Sequence, residues 1–208
     1  MKVIFPAAIV FVLSAAASQQ SNTKGSLHWN WRNAAELRGA DTIRESRNLT
    51  TAQRAEFIEL LLRSYGEPGH RTDAEQQEDR AAAADTRIKL IDLNHDGIPE
   101  LMTQATGDEF CGASGNCTFL VFTQRKGVYV KILDSIAQTY TIQPTVSSGF
   151  QDLILGMHGS ATEAELKLYK YDGQRYRRTS CYDANWSVLG KDGEIHDLKS
   201  PTIKASPC

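Results

Sequence analysis

Between two apolar runs the chain reads IDLNHDGIPEL, from Ile91 to Leu101. Asp92, Asn94 and Asp96 fall at alternate positions, Gly97 follows at once, and Glu100 comes three residues later. Carboxylate and amide oxygens spaced by two along a tight loop can converge on one point, and calcium takes six to eight oxygen ligands at about 2.3–2.6 Å. The ligand set expected from this spacing is the side chains of Asp92, Asn94, Asp96 and Glu100 with the backbone carbonyl of Ile98, Gly97 permitting the turn. The plainer alternative is an Asp/Asn/Gly turn that binds no metal, since these residues favour turns on their own. Four aligned oxygen donors are more than a turn requires. The stretch opens like an EF-hand loop but does not close like one. Pro99 stands at its eighth position and Thr103 at its twelfth, where an EF-hand wants an apolar residue and a bidentate Glu, and ELMTQAT reads as a strand.

Other residues could do chemistry on paper. His158, Ser160 and Glu163 lie close together in MHGSATE, but neighbouring side chains diverge in a hairpin connection, and the chain offers no G-x-S-x-G elbow there. Asp108 with Glu109, or Glu163 with Glu165, could serve glycoside hydrolysis, although acids on a surface are far commoner. His28, His70 and His196 show no metal-ligand spacing. No catalytic residue is assigned. Sequons at Asn48, Asn116 and Asn185 matter only in a glycosylating host.

The cysteines are Cys111, Cys117, Cys181 and Cys208, an even count in a chain whose first residues, MKVIFPAAIVFVLSAAAS, read as a secretory signal peptide over about residues 1–18. An oxidising destination favours two disulfides over a zinc site. CGASGNC is a short loop able to bring Cys111 to Cys117, which leaves Cys181 for Cys208. The apolar run is too short, and interrupted by Pro6, to span a bilayer. A formal net charge of −2 without long charged blocks points to neither nucleic acid nor an acidic membrane surface.

These features need elements to hold them. Residues 19–47 are polar and irregular. Trp29 and Trp31 in HWNWR would share one face of a strand, as a sugar-stacking platform or, more plainly, as indoles pinning the segment to the domain. From 48 to 208 a single domain is expected, with helices over about 50–84, a β region over about 87–181 and a C-terminal tail over 182–208. Thr50 and Gln53 make a capping box, Phe57, Ile58, Leu61 and Tyr65 recur at helical spacing, and Gly66 with Pro68 stops the helix. A second, charged, Ala-rich helix begins near Asp73. Beyond Arg87, short runs of Val, Ile, Leu, Phe and Tyr broken by Gly, Asp and Ser predict strands near 87–92, 100–106, 117–124, 128–134, 151–158, 164–171 and 175–181. The fold class is α+β, helices followed by an antiparallel, hairpin-rich sheet region. That region also repeats: Gly97 aligns with Gly149, Glu100 with Asp152, Leu101 with Leu153, Gly127 with Gly173 and Tyr129 with Tyr176, as two tandem sheet units would. The second copy, PTVSSGFQD, lacks the other acids and is not expected to bind calcium.

Over about residues 88–103 the loop resembles the short D-x-[DN]-x-D-G-x-x-[DE]-[LV] calcium loops of FG-GAP and VCBS-type repeats, which link two strands in propeller blades. More loosely, DTRIKLIDLNHDGIPEL, GNCTFLVF and GFQDLILGMHGSATEAELKLYKYDGQRYR are similar to uncharacterised exported bacterial proteins carrying one such loop. His95 departs from the Gly common at its position. The resemblance implies one structural Ca2+ in the loop, and only the loop is carried over from it; the two tandem sheet units, each like a propeller blade, are the reading of the internal repeat. Two units are too few for a complete propeller. The resulting expectation is a secreted or periplasmic calcium-binding module with an extracellular ligand, a glycan or a protein. The alternatives are a secreted hydrolase acting on a glycan or ester and an inhibitor of a secreted enzyme.

Overall fold

The computed structural model describes residues 37–65, 72–107 and 110–208. The signal peptide, Trp29, Trp31, His28, Gly66, Pro68, His70, Asp108 and Glu109 lie outside them. A 3-10 turn over Leu37–Gly39 leads into two helices, α1 (Thr51–Ser64) and α2 (Asp73–Ala84). Each opens on a complete capping box, Thr50 with Gln53 and Thr72 with Glu75, so the orphan N–H groups of the first turn are met locally. Arg80 of α2 pairs with Glu59 of α1 at 2.6 Å.

Nine strands follow: β1 (Arg87–Ile91), β2 (Glu100–Gln104), β3 (Cys117–Arg125), β4 (Val128–Ala137), β5 (Thr139–Ser147), β6 (Phe150–His158), β7 (Glu163–Tyr171), β8 (Tyr176–Leu189) and β9 (Ile195–Ser206). They form two antiparallel meanders, β1-β2-β3-β4 and β5-β6-β7-β8-β9. The first sheet is the middle layer. Ile88, Leu101, Leu120 and Phe122 pack against Phe57, Leu60, Leu61 and Ala83 of the helices, together with Ile43 and Leu49. The alternate residues Met102, Phe119 and Val121 pack against Leu153, Leu155, Tyr169, Tyr171 and Tyr176 of the second sheet. Every residue of β2 is therefore buried, which is why ELMTQ shows no clean alternation. A bulge opposite Val121 and Phe122 turns both Ile132 and Leu133 toward the core. One of the two sheets curls into a half-barrel, and in the second sheet Ile154, Leu166 and Ala184 form a small buried cluster of their own.

The α+β class and the run of antiparallel strands agree with the sequence. Two strands, β5 and β9, are not among those the sequence predicts. β5 carries Pro144 and few large apolar residues, so TYTIQPTVS reads as a loop, yet its proline sits at an irregularity of an edge strand where no ladder N–H is needed. The expected C-terminal tail is corrected as well: residues 182–189 continue β8, and 195–206 form β9. That hairpin is exposed along most of its length, so its order comes from the backbone ladder and leaves little hydrophobic periodicity to read. Residues 37–47, expected to be irregular, bury Leu37 and Ile43 in the two main cores.

The disulfides are Cys111–Cys117 and Cys181–Cys208. The first closes the loop before β3; the second ties the chain end to β8, where Cys181 lies opposite Ser206 of β9.

In both sheets the first four strands run as an antiparallel meander, β1–β4 and β5–β8. Gly97 and Gly149 both take positive φ, 86° and 91°, in the connection before β2 and β6, and Glu100 and Asp152 are each 1% exposed. The correspondence stops at Tyr129 and Tyr176. Tyr129 meets Phe57 of α1 edge-on at 5.2 Å, whereas Tyr176 packs with Phe150 and Tyr171 between the sheets, because only the first sheet has a helical cover.

Candidate functional site

The acidic stretch is the β1–β2 connection. Its chain reverses through two left-handed residues, His95 (φ 59°) and Gly97 (φ 86°). This geometry lets the loop's own amides gather its side-chain oxygens. The Gly97 N–H donates to Asp92 Oδ2 at 3.0 Å, and the Asp96 N–H to Asp92 Oδ1 at 3.2 Å and Asn94 Oδ1 at 3.0 Å. The Ile98 N–H donates to Asp96 Oδ1 at 2.8 Å, and Asn94 Nδ2 to Asp96 Oδ2 at 2.9 Å. Asp92, Asn94 and Asp96 are thus brought together on one small ring of backbone, while Ile98 is exposed.

Glu100 is placed differently. It begins β2 on the face toward the second sheet, where its Oε2 accepts the Leu93 N–H at 2.7 Å and its Oε1 accepts the Thr123 hydroxyl at 2.9 Å. Burial raises its carboxyl pKa, the Leu93 and Thr123 bonds oppose that, and the charges of Asp96 and Asp92 add to the rise. The carboxylate acts here as an anchor between the start of the loop and β3. Leu93 completes the anchoring: its side chain is fully buried in the core between the sheets, and its carbonyl accepts the Gln151 N–H of β6 at 2.9 Å. Among the described residues no group of three or more His, Cys, Asp and Glu side chains is disposed to hold a metal. The loop itself offers two carboxylates and an amide oxygen, with Glu100 turned inward.

The remaining candidates separate. Ser160 Oγ donates to Glu163 Oε2 at 3.3 Å within the exposed β6–β7 turn, whereas the backbone of His158 is engaged by Asn116, and no bond joins His158 to Ser160 among the described residues. Glu165 pairs with Lys167 at 3.4 Å, and His196 with Asp192 in the β8–β9 turn. A cleft of about 620 Å³ beside the Cys111–Cys117 disulfide is lined by Arg87, Gln104, Gln138 and small loop residues. Among the described residues its lining carries no acid, histidine or hydroxyl.

Three positioning residues escaped the sequence reading. Thr123 and Leu93 hold the loop, and nothing about an isolated Thr or Leu marks them. The sequence marks Asn116 only as a sequon. Its Nδ2 donates to the His158 carbonyl and its Oδ1 accepts the His158 N–H, both at 2.8 Å, so one side chain pairs with β6 as a strand residue would.

Comparison of the chain with protein-family models, with curated proteins and with solved structures finds no match in any of the three. Functional inference therefore rests on the loop and its setting. Among the described residues no helix is long and apolar enough to cross a membrane.

Proposed function

We propose that the chain is an exported, disulfide-stapled interaction module whose β1–β2 loop takes one calcium ion in a structural role. The observation that carries this reading is the folding of the Asp92, Asn94 and Asp96 oxygens onto the amides of residues 96–98. That arrangement concentrates two carboxylates, neither paired with a cation among the described residues, in a turn that two left-handed residues have already closed. A calcium ion would neutralise their repulsion with hard oxygen ligands. It would also stiffen Leu93, and through Leu93 the joint between the sheets, so its effect would be on stability before activity. Glu100 enters the ligand set only by leaving its buried bonds; otherwise it serves as the anchor that keeps the loop in place. The resemblance to FG-GAP and VCBS-type loops, and the position of the loop between two strands of an antiparallel meander, support the same reading. Two disulfides and the apolar leader support a secreted or periplasmic setting. The partner classes that fit are glycans, cell-wall polymers and other exported proteins.

The test is a calorimetric titration of chelator-treated protein with Ca2+. One site is expected in the wild type and none in Asp96→Ala, with Mg2+ competing poorly because it demands a tighter octahedron. Retention of affinity in Glu100→Gln would assign Glu100 to anchoring; its loss would place Glu100 among the ligands. No heat of binding in the wild type would reject the reading.

A further inference from the structure

On the face of the second sheet that carries Ile154 lies a second polar cluster, independent of the acidic loop. The β5–β6 register runs from Ile142 opposite Leu153 to Val146 opposite Gln151, so Gln143, Pro144 and Thr145 all lie against the single residue Asp152. Bulges of this kind re-aim side chains, and proline is suited to one because it has no ladder N–H to lose. Here the bulge delivers the Thr145 hydroxyl to Asp152 Oδ2 at 2.7 Å. Lys170 of β7 places its ammonium 3.7 Å from the same oxygen.

The other half of the cluster is unpaired. Asp152 is 1% exposed, Gln143 5% and Thr141 7%, and Asp152 Oδ1, Gln143 Nε2 and Thr141 Oγ1 have no hydrogen-bond partner among the described residues. Thr141 lies directly opposite Ile154, two residues along β6 from Asp152, so all three side chains share one face. Buried polar atoms are satisfied in the great majority of cases, and each exception calls for a bound group or water to explain it. The three atoms define what that group must be. Asp152 Oδ1 needs a donor, Gln143 Nε2 needs an acceptor, and a threonine hydroxyl serves as either. The Asp152 charge is already countered by Lys170, which disfavours a cation, and an anion would face the carboxylate. A single neutral oxygen that donates and accepts meets all three.

We infer that the bulge of β5 builds a hydroxyl-binding site, in which one oxygen donates to Asp152 Oδ1, accepts from Gln143 Nε2 and contacts Thr141 Oγ1. The oxygen belongs either to an ordered water or to a hydroxyl of a polyol ligand reaching past Lys170, whose side chain is half exposed.

The experiment is a high-resolution crystal structure of the full exported chain grown without polyols, repeated after transfer of the crystals to glycerol, for the wild type, Thr141→Val and Gln143→Leu. One oxygen bonded to all three atoms and unchanged by glycerol supports the site with water as its occupant. The same position taken over by a glycerol hydroxyl supports the site with a polyol as its occupant. In either case Thr141→Val, nearly isosteric and able to fold even where Gln143→Leu does not, is expected to lower the occupancy of that oxygen. Direct bonding of Gln143 Nε2 to Asp152 Oδ1, a metal ion at the position, or no ordered oxygen there would overturn the inference.

Discussion

His95 occupies a left-handed conformation with φ 59°, which costs a residue with a Cβ about 1–2 kcal/mol. In chelator, His95→Gly is expected to stabilise the protein by about 1 kcal/mol, part of the relief being returned as chain entropy; denaturant unfolding would read the gain, and a loss would mean that the imidazole contributes to the fold. Asn116 makes the opposite case. Replacing it with Ala bares both the N–H and the carbonyl of His158, and a destabilisation of about 2 kcal/mol is expected in the same assay. A change near zero would mean that solvent reaches His158 freely. For the same reason glycosylation at Asn116 is incompatible with this packing, because the amide nitrogen is already committed. The candidate ligands were legible because their chemistry is local: type, spacing and a glycine lie within nine residues. Glu100 was legible as an acid but not as an inward-facing one, since its direction is fixed by Thr123 on a different strand.

The β7–β8 turn shows how one side chain organises a hairpin. Asp172 Oδ1 accepts the N–H groups of Gln174 and Arg175, both at 2.8 Å, and Oδ2 accepts Arg177 Nε at 2.8 Å. These bonds, that of the Arg175 amide first, hold the Asp172 carboxyl well below the usual carboxylate range. A depressed acid stabilises the fold above its unfolded pKa and loses that contribution as pH falls toward the native value. Asp172→Asn is therefore expected to melt lower than the wild type at neutral pH, with the gap closing as pH falls below about 4. A gap independent of pH would show that the charge is irrelevant to the turn. Turns of this kind, and strands with one buried face, could be read from the chain. β5 and β9 could not. β5 hides its strand character behind Pro144 and a bulge that sets Thr145 against Asp152, and β9 buries too little to leave a pattern. The buried acid of β6 did have a sequence signal, its alignment with Glu100, but the alignment could not show that the two carboxylates serve different faces.

The three layers are joined at few places, and each can be cut. Cys181–Cys208 spans 27 residues and fastens the exposed β8–β9 hairpin to the domain. Replacing both cysteines with Ala is expected to cost about 3–4 kcal/mol by the loop-closure estimate, read by denaturant unfolding. A negligible cost would mean that the backbone ladder alone holds β9. The layering itself was only half visible in the sequence, because a sheet buried on both faces loses the alternation that would announce it, as ELMTQ does. The joint that matters most for the calcium reading is Leu93, bonded to Glu100 by its N–H and to Gln151 by its carbonyl, for it connects the acidic loop to both sheets. A thermal melt of the oxidised protein with calcium and with chelator, alongside Asp96→Ala, addresses that link directly. At about a hundredfold excess of calcium over its Kd the expected stabilisation is about 2.7 kcal/mol, a rise of several degrees in Tm that Asp96→Ala abolishes. Identical melting curves in calcium and chelator would contradict the account and leave the loop as a hydrogen-bonded turn.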